Sequence, residues 1–253
     1  LLPELYRIHA WLMKTTFFIT ARLKSTRLPK KIILPINGRP IISYQIERIK
    51  YARTIGEIVV CTSTNPQDDE LVDIVSREGV KTFRGSEDDV LLRFLEAAKQ
   101  NKIDHFANIT ADCPLIDPEI IDAVVQKFEE DNVDFCANTV PPETSKFPDG
   151  SDVEIFTMNA LERANAEIMD KHLREHVTFQ FWQTDNYLSS QLSQGVDYSD
   201  YRLTVDYPED FEVVEYIFNQ LKSKNIFGNI SEIINIINEN KVIKEKNSKY
   251  FFG

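Results

Sequence analysis

The chain has 253 residues, of which 42% are hydrophobic and 27% are charged, and its formal net charge is −11. This length and composition suit a globular protein with one large α/β domain or two small ones. The acidic balance argues against non-specific nucleic-acid binding, which needs a basic face, and no apolar stretch reaches the roughly 20 residues that cross a bilayer.

Residues 1–12 are interrupted by proline and by charged side chains, and we expect them to lie outside the core fold. After Met13, short β-branched and aromatic runs alternate with segments of helical apolar spacing. This alternation predicts an α/β fold with a mostly parallel sheet and helices on both faces. The predicted strands are residues 15–20, 57–62, 80–84, 104–110, 133–138, 152–156 and 201–206. The predicted helices are residues 41–52, 68–79, 88–101, 117–131, 157–168, about 173–183, 208–222 and 231–239.

Turn residues and capping residues mark several boundaries. Residues 139–151 are the longest turn-rich stretch and are predicted to be a loop, because a strand pattern resumes at residue 152. Asp117 is the predicted N-cap of one helix, with Pro118 at its first position. Glu209 is the predicted cap of the helix at 208–222.

The loop after the first predicted strand, ARLKSTRLPKK (21–31), is dense in positive charge. Ligands of open parallel sheets bind beyond the carboxyl ends of the strands. The loop has no glycine, so it matches neither the dinucleotide fingerprint nor the P-loop. We therefore expect Arg, Lys and hydroxyl side chains, together with main-chain N–H groups, to hold phosphates here. The alternative is a solvated basic loop.

Two aspartates follow later predicted strands. Asp112 lies two residues beyond the strand at 104–110, and Asp206 ends the strand at 201–206. Mg²⁺ prefers one or two carboxylates together with phosphate oxygens and water. The sequence therefore predicts a metal site formed by Asp112 and Asp206, with helix capping as the alternative role for each.

The three cysteines, Cys61, Cys113 and Cys136, lack the paired spacing of a disulfide framework or a zinc site. Cys61 and Cys136 end apolar runs and are expected to be buried thiols. A reducing cytoplasm suits this usage, and we expect a cytoplasmic protein without a membrane partner.

The charged loop resembles the signature of the CMP-sugar-acid (CMP-KDO-like) synthetases, which carry Ala-Arg and then Ser-x-Arg-Leu-Pro-x-Lys after the first strand. The chain is most similar to the spore coat polysaccharide biosynthesis type of cytidylyltransferase, from about residue 15 to residue 222. Lys30 departs from the pattern, because relatives usually have Gly between the Pro and the Lys. Further counterparts are INGRPII (36–42), EIVVCTSTNPQDD (57–69), FRGSEDDVLLRF (83–94), ITADCPLIDPEII (109–121), FPDGSDVEIF (147–156), REHVT (174–178) and TVDYPEDFEVV (204–214).

The resemblance implies a CTP-dependent cytidylyltransferase that uses Mg²⁺ and transfers CMP to an acidic sugar or a phosphorylated small molecule, with release of pyrophosphate. Arg22, Lys31 and Asp112 are the implied catalytic residues. The implied nucleotide-binding residues are Ala21, Arg22, Ser25, Arg27, Lys31, Thr62, Arg84 and Ser86. The implied acceptor-binding residues are Asp149, Asp152, Glu154, Arg174 and His176.

The resemblance also implies one Rossmann-like domain of the nucleotide-diphospho-sugar transferase type over residues 13–225. Residues 140–200 would form a small inserted region for acceptor binding and homodimerisation, and residues 226–253 a C-terminal tail. Two other functions remain open: a glycosyltransferase of related fold that uses a nucleotide sugar, and a nucleotide-binding subunit without catalytic activity. The density of cations in the loop at 21–31 suits a triphosphate substrate, which argues against the glycosyltransferase. Retention of both Asp112 and Asp206 argues against the non-catalytic subunit.

Overall fold

A computed structural model describes residues 13–250, so the predicted extension at residues 1–12 lies outside the described residues. The strands are β1 (Thr15–Thr20), β2 (Pro35–Ile36), β3 (Arg39–Pro40), β4 (Ile55–Ser63), β5 (Lys81–Gly85), β6 (His105–Thr110), β7 (Phe135–Ala137), β8 (Glu154–Thr157) and β9 (Ser189–Gln191). The helices are α1 (Ile41–Lys50), α2 (Asp69–Arg77), α3 (Val90–Asn101), α4 (Pro118–Asp131), α5 (Met158–Glu167), α6 (Lys171–Glu175), α7 (Phe179–Trp182), α8 (Pro208–Lys224), α9 (Ile230–Asn238) and α10 (Lys241–Lys246). Within residues 13–250, none of these helices is long and apolar enough to cross a bilayer.

The main sheet has seven strands in the order β5-β4-β1-β6-β8-β7-β9. Strand β1 pairs in parallel with β4 and β6, and β4 pairs in parallel with β5. Strand β8 is antiparallel to both β6 and β7, which brings Glu154 beside Asn108. The predicted α/β fold with a mostly parallel sheet is confirmed. Because β8 runs the other way, its first residues lie at the edge where β1, β4 and β6 end.

The sheet is buried on both faces, as the unbroken apolar runs of its strands predict. Along β1, Phe17 and Ile19 belong to one buried cluster, while Phe18 belongs to the cluster on the opposite face. Phe18 stacks on Phe106 with ring centroids 4.4 Å apart. The central strands are therefore held by apolar packing on both faces. This packing does not involve the polar residues beyond the strand ends.

Three local predictions were wrong. Residues 201–206 form no strand, because Arg202 makes only an isolated bridge with Asp149 and the following N–H groups bond to separate loops. The predicted helix at 173–183 is two short helices, α6 and α7, interrupted at His176, whose ψ of 68° is not helical. Glu209 is not the cap of α8, because Asp210 accepts the hydrogen bond from the Tyr207 N–H. Asp117 does cap α4, as predicted, by accepting from the Glu119 N–H at 2.9 Å.

The C-terminal residues pack on the same core as the sheet. Helix α9 places Ile230, Ile233 and Ile237 in the larger buried cluster, and helix α10 follows it. The domain boundaries at residues 12 and 225, and the acceptor region at 140–200, stay predictions.

Candidate active site

A cavity of about 260 Å³ opens at the carboxyl ends of β1 and β6 and at the start of β8. This is the edge at which parallel sheets bind ligands. Its lining includes Asn108 and five carboxylates: Asp112, Asp149, Asp152, Glu154 and Asp206. The sequence predicted all five as metal or acceptor residues, and the structure brings them together around one space.

The charged loop after β1 is held in place by a buried carboxylate that the sequence analysis missed. Asp68 is fully buried and accepts from the Leu23 N–H at 2.8 Å. Its other oxygen accepts from the hydroxyls of Thr62 at 3.1 Å and Ser63 at 2.5 Å. Thr62, a predicted nucleotide contact, therefore uses its hydroxyl to anchor the loop. Ala21, another predicted contact, is buried where β1 ends.

The loop directs Lys31 and Lys30 to opposite sides. Lys31 is 13% exposed, and its Nζ donates to Asp112 at 2.7 Å and to Asp206 at 2.8 Å. Lys30 points outward to Glu70 and adopts a left-handed conformation with φ of 57°. A glycine adopts that conformation without strain, which gives a physical reason for the Gly that relatives usually carry at this position.

The other loop cations also have carboxylate partners. Arg22 donates to Glu175 of α6 at 2.9 Å, and Arg27 donates to Asp206 at 2.6 Å. The Ser25 hydroxyl, 3.4 Å from the Leu28 N–H, braces the loop internally. The loop is thus held in place by ion pairs to five separate carboxylates: Glu70, Glu87, Asp112, Glu175 and Asp206.

Lys31, Asp112 and Asp206 form a charged centre at the mouth of the cavity. Burial disfavours the charge on Lys31, but the two aspartates outweigh it and raise its pKa. Burial likewise acts against the charge on Asp206, and Lys31 with Arg27 outweighs it, so the pKa of Asp206 is lowered. Lys31 and Asp206 are therefore both charged at neutral pH.

Behind Asp206 lies a buried network around Arg202 that the sequence analysis missed. The Arg202 guanidinium donates to Asp149, to Asp206 at 3.0 Å and to Asp210 at 3.0 and 3.2 Å. Asp210 is fully buried and also accepts from the Asp206 N–H at 3.0 Å. These contacts fix the side chain and the main chain of Asp206 together. The sequence does contain one indication of this network, because Arg202 lies within the otherwise largely apolar run YRLTV (201–205).

The predicted acceptor residues on the cavity floor are acidic and enclosed. Burial raises the pKa of Glu154 to about 7, although Asn108 and Thr178 donate to it at 2.9 and 2.7 Å. Burial, followed by the nearby charge of Asp152, raises the pKa of Asp149 to about 7 against the opposing effect of Arg202. Burial also raises the pKa of Asp152. This part of the cavity offers hydrogen-bond acceptors and disfavours further negative charge.

Four other predicted contacts are engaged elsewhere or lie on the surface. Arg84 donates to the carbonyls of residues 63 and 65 and to Asp69, and the Ser86 hydroxyl accepts from the N–H of residue 89. Arg174 braces α6 through Asp89 and the end of α5. His176 is exposed and stacks on Phe179 with centroids 5.7 Å apart. The predicted ligand roles of these residues stay predictions, although their contacts give the two arginines clear bracing roles.

The carboxylates of the charged centre suit a divalent cation that is bound by protein carboxylates and substrate phosphates together. Among residues 13–250, no set of three His, Cys, Asp or Glu side chains converges as a metal cage. The carboxylates of Asp112 and Asp206, however, both lie within 2.8 Å of the Lys31 ammonium nitrogen, so one cation already contacts both of them. Two carboxylates with hard oxygen donors match the protein share of a Mg²⁺ site that phosphate and water complete.

Comparison with known proteins gives a consistent family assignment. A family model described as cytidylyltransferase matches residues 16–248. A cytidylyltransferase from Leptospira borgpetersenii serovar Hardjo-bovis has a solved structure that superposes with a TM-score of 0.85 at 33% identity, covering 92% of this chain and 97% of that one.

Two curated relatives have more specific names. The spore coat polysaccharide biosynthesis protein SpsF of Bacillus subtilis is 27% identical over 232 residues, which is 88% of this chain and 94% of its own. A 3-deoxy-manno-octulosonate cytidylyltransferase of Chloroherpeton thalassium is 32% identical over 139 residues, 54% of this chain and 55% of its own. The resemblance found in the sequence motifs is thus confirmed at the level of the family.

Proposed function

Because the chain belongs to the cytidylyltransferase family and is a nucleotidyltransferase, we propose that it transfers CMP from CTP to an oxygen of an acidic sugar or a phosphorylated small molecule. Pyrophosphate is the leaving group, and the product serves the assembly of a surface polysaccharide or glycoconjugate. The names of the spore coat and octulosonate relatives support this acceptor class.

The observation that carries the proposal is Lys31 between Asp112 and Asp206, beside a cationic loop and above a carboxylate-lined cavity. Nucleotidyl transfer needs positive charge for the triphosphate and a separate space for the acceptor. The structure supplies these two environments side by side, with the charged centre at their boundary.

The loop side chains bind and orient the triphosphate. Arg22 and Arg27 have planar guanidinium groups that grip phosphate oxygens in pairs, while Lys31 acts as a single mobile charge. Positive charge held in place before the reaction stabilises the charge that develops on the leaving pyrophosphate. Glu175 competes with phosphate for Arg22, since the two side chains are joined at 2.9 Å.

Asp112 and Asp206 would hold Mg²⁺, which supplies charge neutralisation at the transferring phosphate when bound. Lys31 already attracts both carboxylates to one place, so the chain needs little rearrangement to present them. The pKa of Asp206, lowered against burial chiefly by Lys31, keeps that carboxylate available as an anionic ligand at neutral pH.

The acceptor binds in the cavity with its hydroxyl groups toward Asp149, Asp152 and Glu154. A carboxylate or phosphate of the acceptor is repelled from this floor, because buried acidic groups already crowd it and their pKa values are raised. The acid group of the acceptor therefore faces the mouth of the cavity.

The test is pyrophosphate release from CTP and Mg²⁺ with a panel of ulosonic acids and phosphorylated acceptors. We expect release with at least one acceptor, and its loss in Asp112→Asn with the fold intact by circular dichroism. Asp73→Asn, which changes an exposed carboxylate on α2, is the matched control and should keep full activity. No release with any acceptor, but glycosyl transfer from a nucleotide sugar, would favour a glycosyltransferase; neither reaction would favour a non-catalytic subunit.

We also propose a homodimer formed through the region 140–200. Phe179 and Trp182 of α7 are half-buried and, with the exposed His176, give that region an aromatic surface suited to an interface. Phe181 and Tyr187, by contrast, belong to the core. Light scattering should give twice the chain mass, and a monomer at micromolar concentration would contradict the proposal.

A further inference from the structure

The C-terminal segment after α10 returns to the active-site network. Asn247 is 4% exposed, although α10 itself has no buried residue. Its amide Nδ2 donates to the Arg202 carbonyl at 3.1 Å and to the Asp210 carboxylate at 2.9 Å. These partners lie 45 and 37 residues earlier in the sequence, so the buried amide does more than cap helix α10.

Arg202 and Asp210 hold Asp206 from the side away from the charged loop, which supplies its other partners, Arg27 and Lys31. Arg202 holds the Asp206 carboxylate at 3.0 Å, and the Asp210 carboxylate accepts from the Asp206 N–H at 3.0 Å. Asn247 donates to both of them and does not itself contact the cavity. It therefore lies one step behind a residue to which the proposed function gives a metal-binding role.

The two oxygens of Asp210 depend on Asn247 unequally. Oδ2 accepts from Arg202 and from two main-chain N–H groups, at residues 206 and 207. Oδ1 accepts from Arg202 Nε at 3.0 Å and from Asn247. Without the amide, Oδ1 keeps one donor among the described residues, in a site with no solvent exposure. A buried anion short of a donor draws its remaining partners closer, so Arg202 would turn toward Asp210 and away from Asp206.

We infer that Asn247 is a positioning residue for Asp206, and that the segment Asn247–Tyr250 is part of the active site rather than an appended tail. This rests on the proposed function of Asp206 as a metal-binding residue. The same segment makes a second contact with the site: Tyr250 stacks on Tyr207 with centroids 3.8 Å apart and planes at 2°, and Arg27 lies 5.0 Å from the Tyr207 ring. The first contact thus ends beside Asp206 and the second beside Arg27, to which the proposed function gives metal-binding and triphosphate-binding roles.

The experiment compares Asn247→Ala with Asn240→Ala in the full chain. Asn240 is the N-cap of α10 and accepts from the N–H groups of residues 242 and 243, so its loss weakens the same helix without touching the network. We expect both variants to have a lower Tm. Asn247→Ala should also lose about 10-fold in kcat, as partners of metal ligands commonly do on substitution, whereas Asn240→Ala should stay within about 2-fold of the wild type.

A second readout follows metal binding directly. Mn²⁺ titration in the presence of CTP, followed by electron paramagnetic resonance, should show weaker binding in Asn247→Ala by about 10-fold and no change in Asn240→Ala. If Asn247→Ala does not fold, Asn247→Ser keeps a smaller hydroxyl donor and should show an intermediate loss of both kcat and Mn²⁺ affinity.

Two outcomes would overturn the inference: wild-type kcat and Mn²⁺ affinity in a folded Asn247 variant, whether or not its Tm is lower, or losses that track Tm equally in both variants. Failure of the proposed function is recognised separately, as a wild-type protein that releases no pyrophosphate. In that case the Mn²⁺ titration still decides whether Asn247 supports a cation site at Asp206.

Discussion

Replacing Lys31 with Met removes the cation that joins the two aspartates proposed to bind the metal, while keeping the length of the side chain. Lys31 is 13% exposed and donates to Asp112 at 2.7 Å and to Asp206 at 2.8 Å. Asp206 keeps Arg27 and Arg202 as partners, at 2.6 and 3.0 Å. Asp112 keeps no charged partner among the described residues. Only Asp112 therefore loses its sole charged partner. We expect the free energy of unfolding to fall by about 1.5–3 kcal/mol, which corresponds to the loss of one hydrogen bond to a charged group.

The effect on catalysis should be larger than the effect on folding. A preorganised charge at a transferring phosphate is a donor of the kind whose removal lowers kcat by about 10²–10³. Lys30→Met is the matched control, because it removes the same charge from the neighbouring position, where the side chain is 58% exposed and pairs with Glu70. We expect that control to change stability by less than about 1 kcal/mol and kcat by less than about 5-fold.

The assay is pyrophosphate release under saturating CTP and Mg²⁺, with urea unfolding measured on the same preparations. A Lys31→Met protein that retained kcat within about 3-fold, or a Lys30→Met protein that lost as much as Lys31→Met, would refute the placement of Lys31 at the phosphates.

Three further substitutions test other parts of the site. Glu175→Gln removes the carboxylate that competes for Arg22, and because this pair is more than one-third exposed we expect the KM for CTP to fall by at most about 5-fold, with kcat unchanged in steady-state assays. Burial raises the pKa of Glu154 from 4.5 to about 7, so between these values the folded protein binds a proton that the unfolded chain has released. The contribution of this group to stability should therefore be present below about pH 4.5 and be lost as pH rises toward 7, by up to about 1.4 kcal/mol per pH unit, and Glu154→Gln should remove this component from the pH dependence of urea unfolding. Lys30→Gly relieves a left-handed conformation and should raise the free energy of unfolding by about 1 kcal/mol without changing CTP turnover, whereas a destabilised variant would contradict the conformational argument.

Much of the fold and the centre of the site could be predicted because both follow from local patterns. Apolar runs bounded by charge define β1, β4 and β6, and parallel strands place their carboxyl ends at one edge. Residues in the loops beyond those ends, such as Lys31 and Asp112, are therefore close in space although 81 residues apart in sequence. Which of Lys30 and Lys31 contacts Asp112 and Asp206 could not be read from the sequence, because it depends on the left-handed conformation of Lys30, which turns the loop.

The parts that could not be predicted depend on which buried polar groups find each other. Arg202, Asp210 and Asn247 form one network, but no periodicity relates positions that are 8 to 45 residues apart. Arg84 and Arg174 likewise have partners that the sequence does not identify. In the structure their guanidinium groups bind main-chain carbonyls and aspartates that a sequence cannot pair in advance, and their predicted ligand contacts stay predictions.

The direction of β8 explains how one sheet edge carries two opposite charge environments. The loop after β1 brings cations to this edge, and an added parallel strand would place only its own C-terminal residues there. Because β8 is antiparallel to β6, the acidic stretch before it, which contains Asp149 and Asp152, arrives at the same edge. Lys31, Asp112 and Asp206 lie where the two environments meet. Under the proposed function, the triphosphate of the nucleotide would bind on the cationic side and the hydroxyl groups of the acceptor on the acidic side. The reacting oxygen and the α-phosphate are therefore expected to meet at that boundary, which is why substitutions there should lower kcat, while those in the outer loop should change KM.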